Sequence, residues 1–316
     1  MGASEPNRLN YNEVPPAECR GGAVAVGNFD GVHLGHAHLI RILLEQRRPA
    51  VVISFDPHPL RLLAPERFQP LLTTPEDRVE FLRSCGADQV ILLRTTAELL
   101  HLSAEEFFER ILRDNFQAKA IVEGFNFRFG RDRTGDLNTL AELCRLNGLS
   151  LKVVPPLELD GSPVSSSRVR NALLAGDAAE AARLMGRSYR LHGVVGGGQR
   201  RGRILGFPTA NLEQVETLLP ADGVYAVRVK CDEMVYAGAA NVGPNPTFGE
   251  NIRKIEVHLL DFDGDLYGKR LSVEFIRRLR GTRPFTGPEA LKAQLQLDVQ
   301  QVREIMGDLT TCPRRI

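Results

Sequence analysis

A ten-residue segment near the amino terminus, GNFDGVHLGH at positions 27–36, restricts the possible folds more than any other feature of the chain. The apolar run Ala23–Val26 before it is typical of a buried strand, and the segment 37–46 after it is typical of a helix. A strand joined to a helix by a short glycine-containing turn is characteristic of α/β folds with a parallel sheet. The turn also delivers two histidines, His33 and His36, to the amino end of that helix. Amide groups and the helix dipole favour an anion there, so we expect the turn to bind a polyphosphate.

The same alternation of strand and helix continues to about residue 155. Further apolar strands are predicted at 51–55, 89–93, 120–122 and 151–154. Thr74 before a proline and Ser103 three positions before a glutamate are signals for helix starts, and Gly148 is typical of a helix end. Short apolar strands separated by helices predict a parallel, doubly wound, Rossmann-like sheet. Such sheets bind ligands beyond the carboxyl ends of their strands, which is where the histidine turn lies.

The pattern changes in the second half of the chain. Two short helices are predicted at 167–174 and 178–185, and strand signals with glycine-containing turns then follow at 223–230, 234–241, 255–260 and 270–276. Regular short strands predict an antiparallel β-barrel, with a terminal amphipathic helix at 288–306 packed on it. We therefore predict two domains, residues 1–186 and residues 187–316.

Composition excludes several classes of function. The formal net charge of the 316 residues is +1, so no overall field attracts nucleic acid or an anionic membrane. The five cysteines are widely spaced and odd in number, which favours a reducing cytoplasm over a disulfide framework. No apolar run is long enough for a membrane span, and the first twenty positions do not resemble a signal peptide. We expect a cytoplasmic protein that is a monomer or weak homo-oligomer and binds neither nucleic acid nor membrane.

Three further segments of the first half place polar side chains in predicted ligand-binding loops: FDPHP at 55–59, GFNFRFG at 124–130 and VSSSRVR at 164–170. Each of their candidate residues also has an ordinary explanation, since serines cap helices, arginines are common surface charges and asparagines favour turns. All three segments fall on the side of the predicted sheet that bears the histidine turn, which favours a shared ligand site. The candidate residues are Asp56, Asn126, Ser166 and Arg170.

In the second half, GFPTAN at 206–211 is the strongest functional motif. Gly206 and Pro208 fix a tight turn, and Thr209 and Asn211 supply a hydroxyl and an amide oxygen two positions apart. Both are hard oxygen ligands of the kind that accompany substrate phosphates around Mg²⁺. We therefore expect a second phosphate site here, one that contains magnesium.

The first-half motifs together resemble the HxGH nucleotidylyltransferases, specifically the flavin adenylyltransferase module of bacterial bifunctional riboflavin kinase/FAD synthetases. The resemblance implies that an oxygen of FMN attacks the α-phosphorus of ATP and that pyrophosphate leaves, with His33 and His36 stabilising the developing charge. It further implies that Asp56 contacts the flavin acceptor and that Mg²⁺ neutralises part of the pyrophosphate. Besides the two histidines, the ATP-binding residues that it implies are Gly27, Phe29, Asp30, Asn126, Ser166 and Arg170.

The second-half motifs resemble the riboflavin kinase module of the same family. They are GFPTAN, GVYA at 223–226, NVGPNPTF at 241–248 and IEVHLLDF at 255–262. The resemblance implies that Glu256 accepts the proton of the riboflavin 5′-hydroxyl and that Phe285 contacts the flavin. The ATP-binding residues that it implies are Gly206, Pro208, Thr209 and Asn211, the last two together with Mg²⁺. The predicted function is therefore phosphorylation of riboflavin to FMN and adenylylation of FMN to FAD, with ATP as co-substrate of both reactions.

Two alternatives remain open from the sequence alone. A nucleotidylyltransferase for another phosphorylated acceptor would share the histidine turn but would leave GFPTAN unexplained. A non-catalytic module that binds flavin or nucleic acid is suggested by arginine-rich pieces such as 277–280, although the near-neutral net charge disfavours nucleic acid. Incubation with riboflavin and ATP distinguishes the three hypotheses.

Overall fold

The computed structural model describes residues 6–197, 206–245 and 250–311. These residues form two compact units. The first unit contains the chain up to Gln69 together with Thr73–Ser166, and the second contains Pro70–Leu72 together with the chain from Ser167 onwards. The boundary between residues 186 and 187 stays a prediction. Among the described residues, no helix combines the length and the apolar composition that crossing a bilayer requires.

A six-stranded sheet forms the centre of the first unit. Its strands are β1 (Asn7–Leu9), β2 (Ala23–Val26), β3 (Ala50–Asp56), β4 (Gln89–Arg94), β5 (Ala120–Gly124) and β6 (Ser150–Val154). They lie in the order β1-β4-β3-β2-β5-β6, and every pairing is parallel. The chain therefore builds the sheet outward from β2 on one side and then adds β5 and β6 on the other. This reversal between β2 and β5 is the switch point at which open parallel sheets bind ligands.

Helices cover both faces of this sheet, as predicted. They are α1 (Leu34–Leu44), α2 (Leu60–Leu63), α3 (Pro75–Ser84), α4 (Ala97–His101), α5 (Ala104–Phe107), which continues as the π-helical segment Phe108–Asn115, and α6 (Leu137–Asn147). Because strand side chains alternate between faces, Val24 and Val26 of β2 pack into a core with α5 and α6, and Ala23 and Ala25 pack into a second core with α1 and α3. After β6, β7 (Glu158–Leu159) and β8 (Ser162–Pro163) form a small separate ribbon.

Local sequence signals set several helix ends. The Thr74 hydroxyl accepts a hydrogen bond from the Asp77 amide at the start of α3, and Ser103 heads a complete capping box at α5. Gly148 follows α6 in the left-handed region with φ of 67°. These three predictions are confirmed. The predicted start of the first helix at residue 37 is wrong, because His33 caps a helix that begins at Leu34.

A closed antiparallel barrel forms the centre of the second unit. Its strands are β9 (Tyr189–Gly196), β10 (Ala210–Glu213), β11 (Gly223–Cys231), β12 (Met234–Asn245), β13 (Glu250–Leu259) and β14 (Arg270–Arg280). The order is β10-β13-β12-β11-β14-β9, and the pairing of β9 with β10 closes the barrel. The predicted fold class is thereby confirmed for both units.

Three further α-helices lie in the described part of the chain: α7 (Ser166–Leu174), of which all but the first residue belongs to the second unit, α8 (Ala178–Met185) and α9 (Pro288–Thr311). α8 packs against β9 and β14, and α9 packs against β11 and β12 with Val302 fully buried. Inside the barrel the ring of Phe275 lies 5.2 Å from that of Tyr225 and 6.2 Å from that of Tyr189. Both tyrosine hydroxyls donate to backbone carbonyls, which satisfies the polar ends of these buried rings.

Candidate active sites

The histidine turn, residues 27–33, connects the carboxyl end of β2 to α1. Two non-glycine residues in it have positive φ angles, 48° at Phe29 and 37° at Val32, and both side chains are buried. Such backbone conformations cost about 1–3 kcal/mol each and concentrate at ligand sites. The turn is also tight around Gly27, where an added Cβ would lie 3.2 Å from the Phe29 ring. Packing thus holds the turn in a shape that the backbone alone disfavours.

Thr73 fixes the turn through the side chain of Asp30. The Thr73 amide and hydroxyl donate to Asp30 Oδ1 at 3.2 and 3.3 Å, and the same hydroxyl accepts from the Gly31 amide at 3.2 Å. Asp30 is 5% exposed, so these bonds satisfy a carboxylate that water barely reaches. The carboxylate of Asp30 therefore shapes the turn from within.

A buried arginine supports the turn from α3. Arg78 is 1% exposed, and its Nη1 donates to Ser54 Oγ at 3.1 Å and to the Phe55 carbonyl at 2.9 Å. Ser54 Oγ donates in turn to the carbonyl of Asn28 at 3.1 Å. Burial lowers the pKa of Arg78, and nearby carboxylates, Asp30 first, oppose that shift. A buried guanidinium is thus connected through one hydroxyl to the backbone of the turn.

The two histidines stack on each other. Their ring centroids are 3.7 Å apart with an interplanar angle of 17°, and the ring of Phe29 meets His36 edge-on at 5.1 Å. The His36 amide donates to His33 Nδ1 at 3.4 Å, so a neutral His33 carries its proton on Nε2. His33 is 6% exposed. The sequence prediction that the two imidazoles share one face is confirmed, and His33 additionally caps the helix.

The other predicted residues of the first unit lie at the same edge of the sheet. Asp56 ends β3, and its Oδ2 accepts from Arg8 Nε at 2.8 Å. Asn126 is exposed in the turn after β5, where the Phe127 amide donates to the Gly124 carbonyl at 3.0 Å. Since β3 and β5 flank β2, both residues lie at the carboxyl ends of strands next to the histidine turn. The geometry is that of a ligand site at a switch point.

Ser166 and Arg170 are placed differently from each other. Ser166 Oγ donates to the carbonyl of Asp30 at 2.8 Å, so its single hydroxyl proton holds the histidine turn. Arg170 belongs to the second unit, where its Nη1 donates to the carbonyl of Pro70 at 2.6 Å. Contact of either side chain with ATP phosphates stays a prediction.

In the barrel, three polar residues form one row across neighbouring strands. Glu256 on β13 is directly opposite Asn211 on β10 and Asn241 on β12. Residues directly opposite each other share a face of the sheet, with Cβ atoms about 5 Å apart. The flanking residues on all three strands are buried in the barrel core, so the row lies on the outer face. On that face Lys254 Nζ lies 3.3 Å from Glu256 Oε1.

The GFPTAN segment is attached to the same strand. His258 Nδ1 donates to the carbonyl of Pro208 at 2.8 Å, and the Phe207 ring meets His258 edge-on at 5.6 Å. His258 follows Glu256 by two positions and therefore shares its face. Two of the predicted ATP residues, Pro208 and Asn211, are thus fixed to β13 on either side of Thr209.

Gly206 adopts a φ of 84°, which glycine tolerates best, and Thr209 is exposed directly before β10. Asn211 forms one end of the polar row, and Thr209 precedes it by two positions. Within the described residues, no cluster of three or more His, Cys, Asp or Glu side chains is poised for a metal.

Phe285 lies beside a separate cavity of about 400 Å³ between the end of β14 and α9. Arg280 and Arg283 line this cavity and place their guanidinium groups 5.6 and 5.3 Å from the centre of the Phe285 ring. Two strands separate β14 from β13 in either direction around the barrel. Phe285 follows β14 and Glu256 lies on β13, so the pairing of neighbouring strands does not bring these two residues together.

Sequence reasoning missed Ser54, Thr73 and Arg78 in the first unit and Asn241 and Lys254 in the barrel. Lys254 was in principle detectable, because a residue two positions before Glu256 shares its face in a strand. Asn241 opens the NVGPNPTF motif, but its place beside Glu256 follows only from strand pairing. Ser54, Thr73 and Arg78 come close to the histidine turn only through the packing of the fold, and no local pattern in the sequence marks them.

Two family models match the chain. The model described as FAD synthetase matches residues 16–168, and the model described as riboflavin kinase matches residues 185–306. A bifunctional riboflavin kinase/FMN adenylyltransferase from Pseudomonas fluorescens is 40% identical over 91% of this chain and 94% of its own. The protein of the same description from Escherichia coli K12 is 34% identical over 94% of this chain and 96% of its own.

A similar solved structure is described as a macrolide-efflux protein from Streptococcus pneumoniae. It is 32% identical, covers 94% of this chain and 98% of its own, and superposes with a TM-score of 0.83. Its fold therefore extends over both units. On the extent and identity of these matches, the chain belongs to the family of bifunctional riboflavin kinase/FMN adenylyltransferases.

Proposed function

We propose that the chain makes FAD from riboflavin in two ATP-dependent reactions. The barrel transfers the γ-phosphoryl group of ATP to riboflavin, which gives FMN and ADP. The first unit transfers the adenylyl group of a second ATP to FMN, which gives FAD and pyrophosphate. Membership of a family with both activities supports this assignment. The observation that carries it is that each unit holds its own polar cluster, the stacked histidines in one and the Asn211–Glu256–Asn241 row in the other.

In adenylyl transfer, a phosphate oxygen of FMN attacks the α-phosphorus of ATP while the bond to the β-phosphate oxygen breaks. Negative charge accumulates on the α-phosphate oxygens and on the departing pyrophosphate. His33 supplies an Nε2 proton donor, and His36 and the amino end of α1 add donors and positive potential beside it. Because the turn is held by buried hydrogen bonds, these donors need little reorganisation during the reaction.

The remaining residues of this site are proposed to bind substrates. Asn126 and Asp56, on either side of the histidine turn, are assigned to the nucleotide and the flavin acceptor respectively. Gly27, Phe29 and Asp30 are assigned to ATP through the backbone of the turn, since the side chains of Phe29 and Asp30 are buried. Ser166 and Arg170 are assigned to the β- and γ-phosphates, and an arginine suits this role because its forked donors match phosphate oxygens. Ser166 exchanges its bond to the Asp30 carbonyl for a phosphate oxygen when it does so.

In phosphoryl transfer, Glu256 accepts the proton of the riboflavin 5′-hydroxyl as that oxygen attacks the γ-phosphorus. A positioned general base of this kind contributes roughly 10²- to 10⁴-fold to a rate. Asn211 and Asn241 lie directly opposite Glu256 on the neighbouring strands, and Lys254 offsets the charge of its carboxylate. Gly206 and Pro208 shape the backbone around the ATP phosphates.

The donor set of the barrel fits magnesium. Thr209 and Asn211 offer one hydroxyl and one amide oxygen, the hard ligands that Mg²⁺ accepts alongside substrate phosphates and water. When bound there, the ion neutralises phosphate charge. Thr209 is exposed directly before β10, so solvent reaches this residue.

The cavity beside Phe285 is assigned to the flavin. A volume of about 400 Å³ lies in the range of small-molecule sites, and the Phe285 ring with the guanidinium groups of Arg280 and Arg283 near it supplies flat groups on which a flavin ring system can stack. We further propose that the protein is cytoplasmic and a monomer or weak homo-oligomer.

A paired-variant assay tests the assignment. Purified protein is incubated with ATP and either riboflavin or FMN, and FMN and FAD are separated by chromatography. His36→Ala is expected to lower FAD formation by about 10²-fold or more, as loss of a positioned transition-state donor does. Glu256→Gln is expected to lower FMN formation by a similar factor and to leave FAD formation from added FMN intact.

His38→Ala on α1 and Glu233→Gln on the exposed turn between β11 and β12 are the matched controls, and both are expected to retain both activities. Loss of both activities in each folded site variant would contradict the presence of two separate sites.

Formation of a nucleotide product from another phosphorylated acceptor, with none from FMN, would favour the alternative function of a nucleotidylyltransferase for that acceptor. Within the arginine-rich piece 277–280, Arg278 donates to the Asp222 carbonyl and Arg280 pairs with Asp298, so part of its hydrogen-bonding capacity is used inside the barrel unit.

A further inference from the structure

A carboxyl group lies inside the parallel sheet, at the switch point. Glu123 on β5 is 2% exposed. The neighbouring strands β2 and β5 pair only at Ala23–Ala120 and Val24–Ile121. Beyond that point β2 continues to pair with β3 and β5 with β6, so β2 and β5 separate from each other.

The Glu123 side chain closes this gap. Its Oε1 accepts a hydrogen bond of 2.8 Å from the Val26 amide, the donor that the interrupted ladder leaves at the end of β2. Val26 directly precedes the histidine turn, and Gly124, which directly follows Glu123, begins the turn that carries Asn126. One side chain therefore joins the bases of the two turns that flank the switch point.

The surroundings favour the neutral form of this carboxyl group. Burial raises the pKa of Glu123 well above its usual range, and only the Val26 amide acts in the opposite direction. Ile121, two positions before Glu123, packs with α5, the π-helical segment and α6. On α6 the buried thiol of Cys144 is also neutral, since burial raises its pKa to about 11. The charged groups of these covering elements pair with one another at the surface: Arg110 with Glu106, Arg113 with Glu109, and Arg145 with Glu142.

We propose that Glu123 is a positioning residue for adenylyl transfer, which fixes the histidine turn relative to the Asn126 turn by bridging the separated strands β2 and β5. It acts as a carboxylic acid whose carbonyl oxygen receives the Val26 amide. It does not touch substrate, so its effect on the reaction passes through the placement of His33 and His36. This inference rests on the proposed location of adenylyl transfer at the histidine turn.

Two substitutions of similar size distinguish the effect of the hydrogen bond to Val26 from the effect of a charge on Glu123. Glu123→Gln keeps a neutral acceptor oxygen, and Glu123→Met removes it. We expect E123Q to form FAD from FMN and ATP within about threefold of the parent chain. We expect E123M to lose about tenfold or more in kcat with less than a threefold change in KM for ATP, because the reacting groups are misplaced rather than unbound. Riboflavin phosphorylation by the same preparations is the internal control and is expected to stay within twofold.

A parent-like kcat in E123M would overturn the proposal, and so would a loss in E123Q as large as that in E123M, since the charge would then be required. If the parent chain itself forms no FAD from FMN, the proposed function fails, and this outcome is distinct from either result.

A second measurement keeps the proposal testable if E123M does not fold. The raised pKa in the folded state means that the folded chain retains a proton that the unfolded chain releases above about pH 4.5, so this group's contribution to stability falls as pH rises. E123Q lacks this proton. Its denaturation midpoint is therefore expected to rise relative to that of the parent chain between pH 5 and pH 8. If the difference in denaturation midpoint between E123Q and the parent chain stayed constant from pH 5 to pH 8, Glu123 would be ionised in the folded chain. That result would overturn its assignment as a neutral bridge.

Discussion

Gly35 shows how closely the histidine site is packed at the level of one residue. It lies in the first turn of α1, where alanine is the better helix former by about 1 kcal/mol. An added Cβ would lie 3.1 Å from the His33 ring and 3.2 Å from the carbonyl of Val164. We expect Gly35→Ala to lower FAD formation from FMN by about tenfold through displacement of the imidazole, without lowering thermal stability. Steady-state kinetics with added FMN and a melting curve measure the two effects.

Gly287→Ala is the matched control, because nothing lies within 4 Å of a Cβ added there. It is expected to leave FAD formation from FMN unchanged. Undiminished FAD formation by Gly35→Ala would show that His33 does not need its present position.

At the same scale, the sequence identifies residues that act within one segment and misses those that act across segments. His33 and His36 are recognisable because their spacing and their place before a helix are both local features. Ser54, Thr73 and Arg78 support the histidine turn from β3, from the approach to α3 and from α3 itself, at least 23 positions from the residues that they hold. An ordinary serine, threonine or arginine has no neighbours in sequence that reveal such a partner, so only the packed fold identifies them.

At the scale of elements, helix ends are predictable where a cap is a short-range hydrogen bond. Thr74, Ser103 and Gly148 act on groups within four positions of themselves, and their predicted roles are confirmed. The start of α1 was not predictable in this way, because a histidine is an unusual cap and its ring accepts from an amide three positions ahead. Short strands such as β1 and β10 carry too few residues for a periodic pattern, and their pairing partners define them.

A buried ion pair joins α9 to the barrel, in addition to the apolar contacts around Val302. Asp298 on α9 is 1% exposed and accepts from Arg280 Nε at 3.0 Å and Nη2 at 2.8 Å, while Gln294 donates to it at 2.9 Å. We expect Asp298→Asn to lower the free energy of unfolding of the barrel by about 2 kcal/mol, below the roughly 3–5 kcal/mol of a fully buried pair because Arg280 keeps some contact with water. Because Arg280 also lines the cavity beside Phe285, the KM for riboflavin is expected to rise. Urea denaturation and kinase kinetics measure these changes.

Asp261→Asn is the control for this prediction. Asp261 pairs with Arg303 of the same helix at 2.7 Å but is largely exposed, and exposed pairs contribute little to stability. Its unfolding midpoint and its KM for riboflavin are expected to match those of the parent chain. Equal effects of the two substitutions would mean that burial of Asp298 does not matter for the docking of α9.

At the scale of the whole molecule, the predicted boundary and the compact units divide the chain at different places. The sequence places the boundary at 186/187, after the two short helices, because strand signals begin there. The compact units divide after Ser166, and the two family models leave residues 169–184 between them. A contact between a helix and a distant strand has no local signature, so the unit to which α8 belongs could not be predicted from its sequence.

Two fragments of the second unit distinguish a boundary after residue 166 from a boundary after residue 186. α8 buries Leu184 and Met185 and packs against β9 and β14, and complete burial of such a side chain contributes about 1.5–3 kcal/mol. A fragment that begins at residue 187 loses both side chains, about 3–6 kcal/mol, which is comparable with the total stability of many domains. We therefore expect the fragment 167–316 to fold cooperatively and to phosphorylate riboflavin, and the fragment 187–316 to unfold at a lower temperature with reduced activity. Melting curves and FMN formation measured in parallel decide between them, and equal stability of the two fragments would place the functional boundary at 186/187.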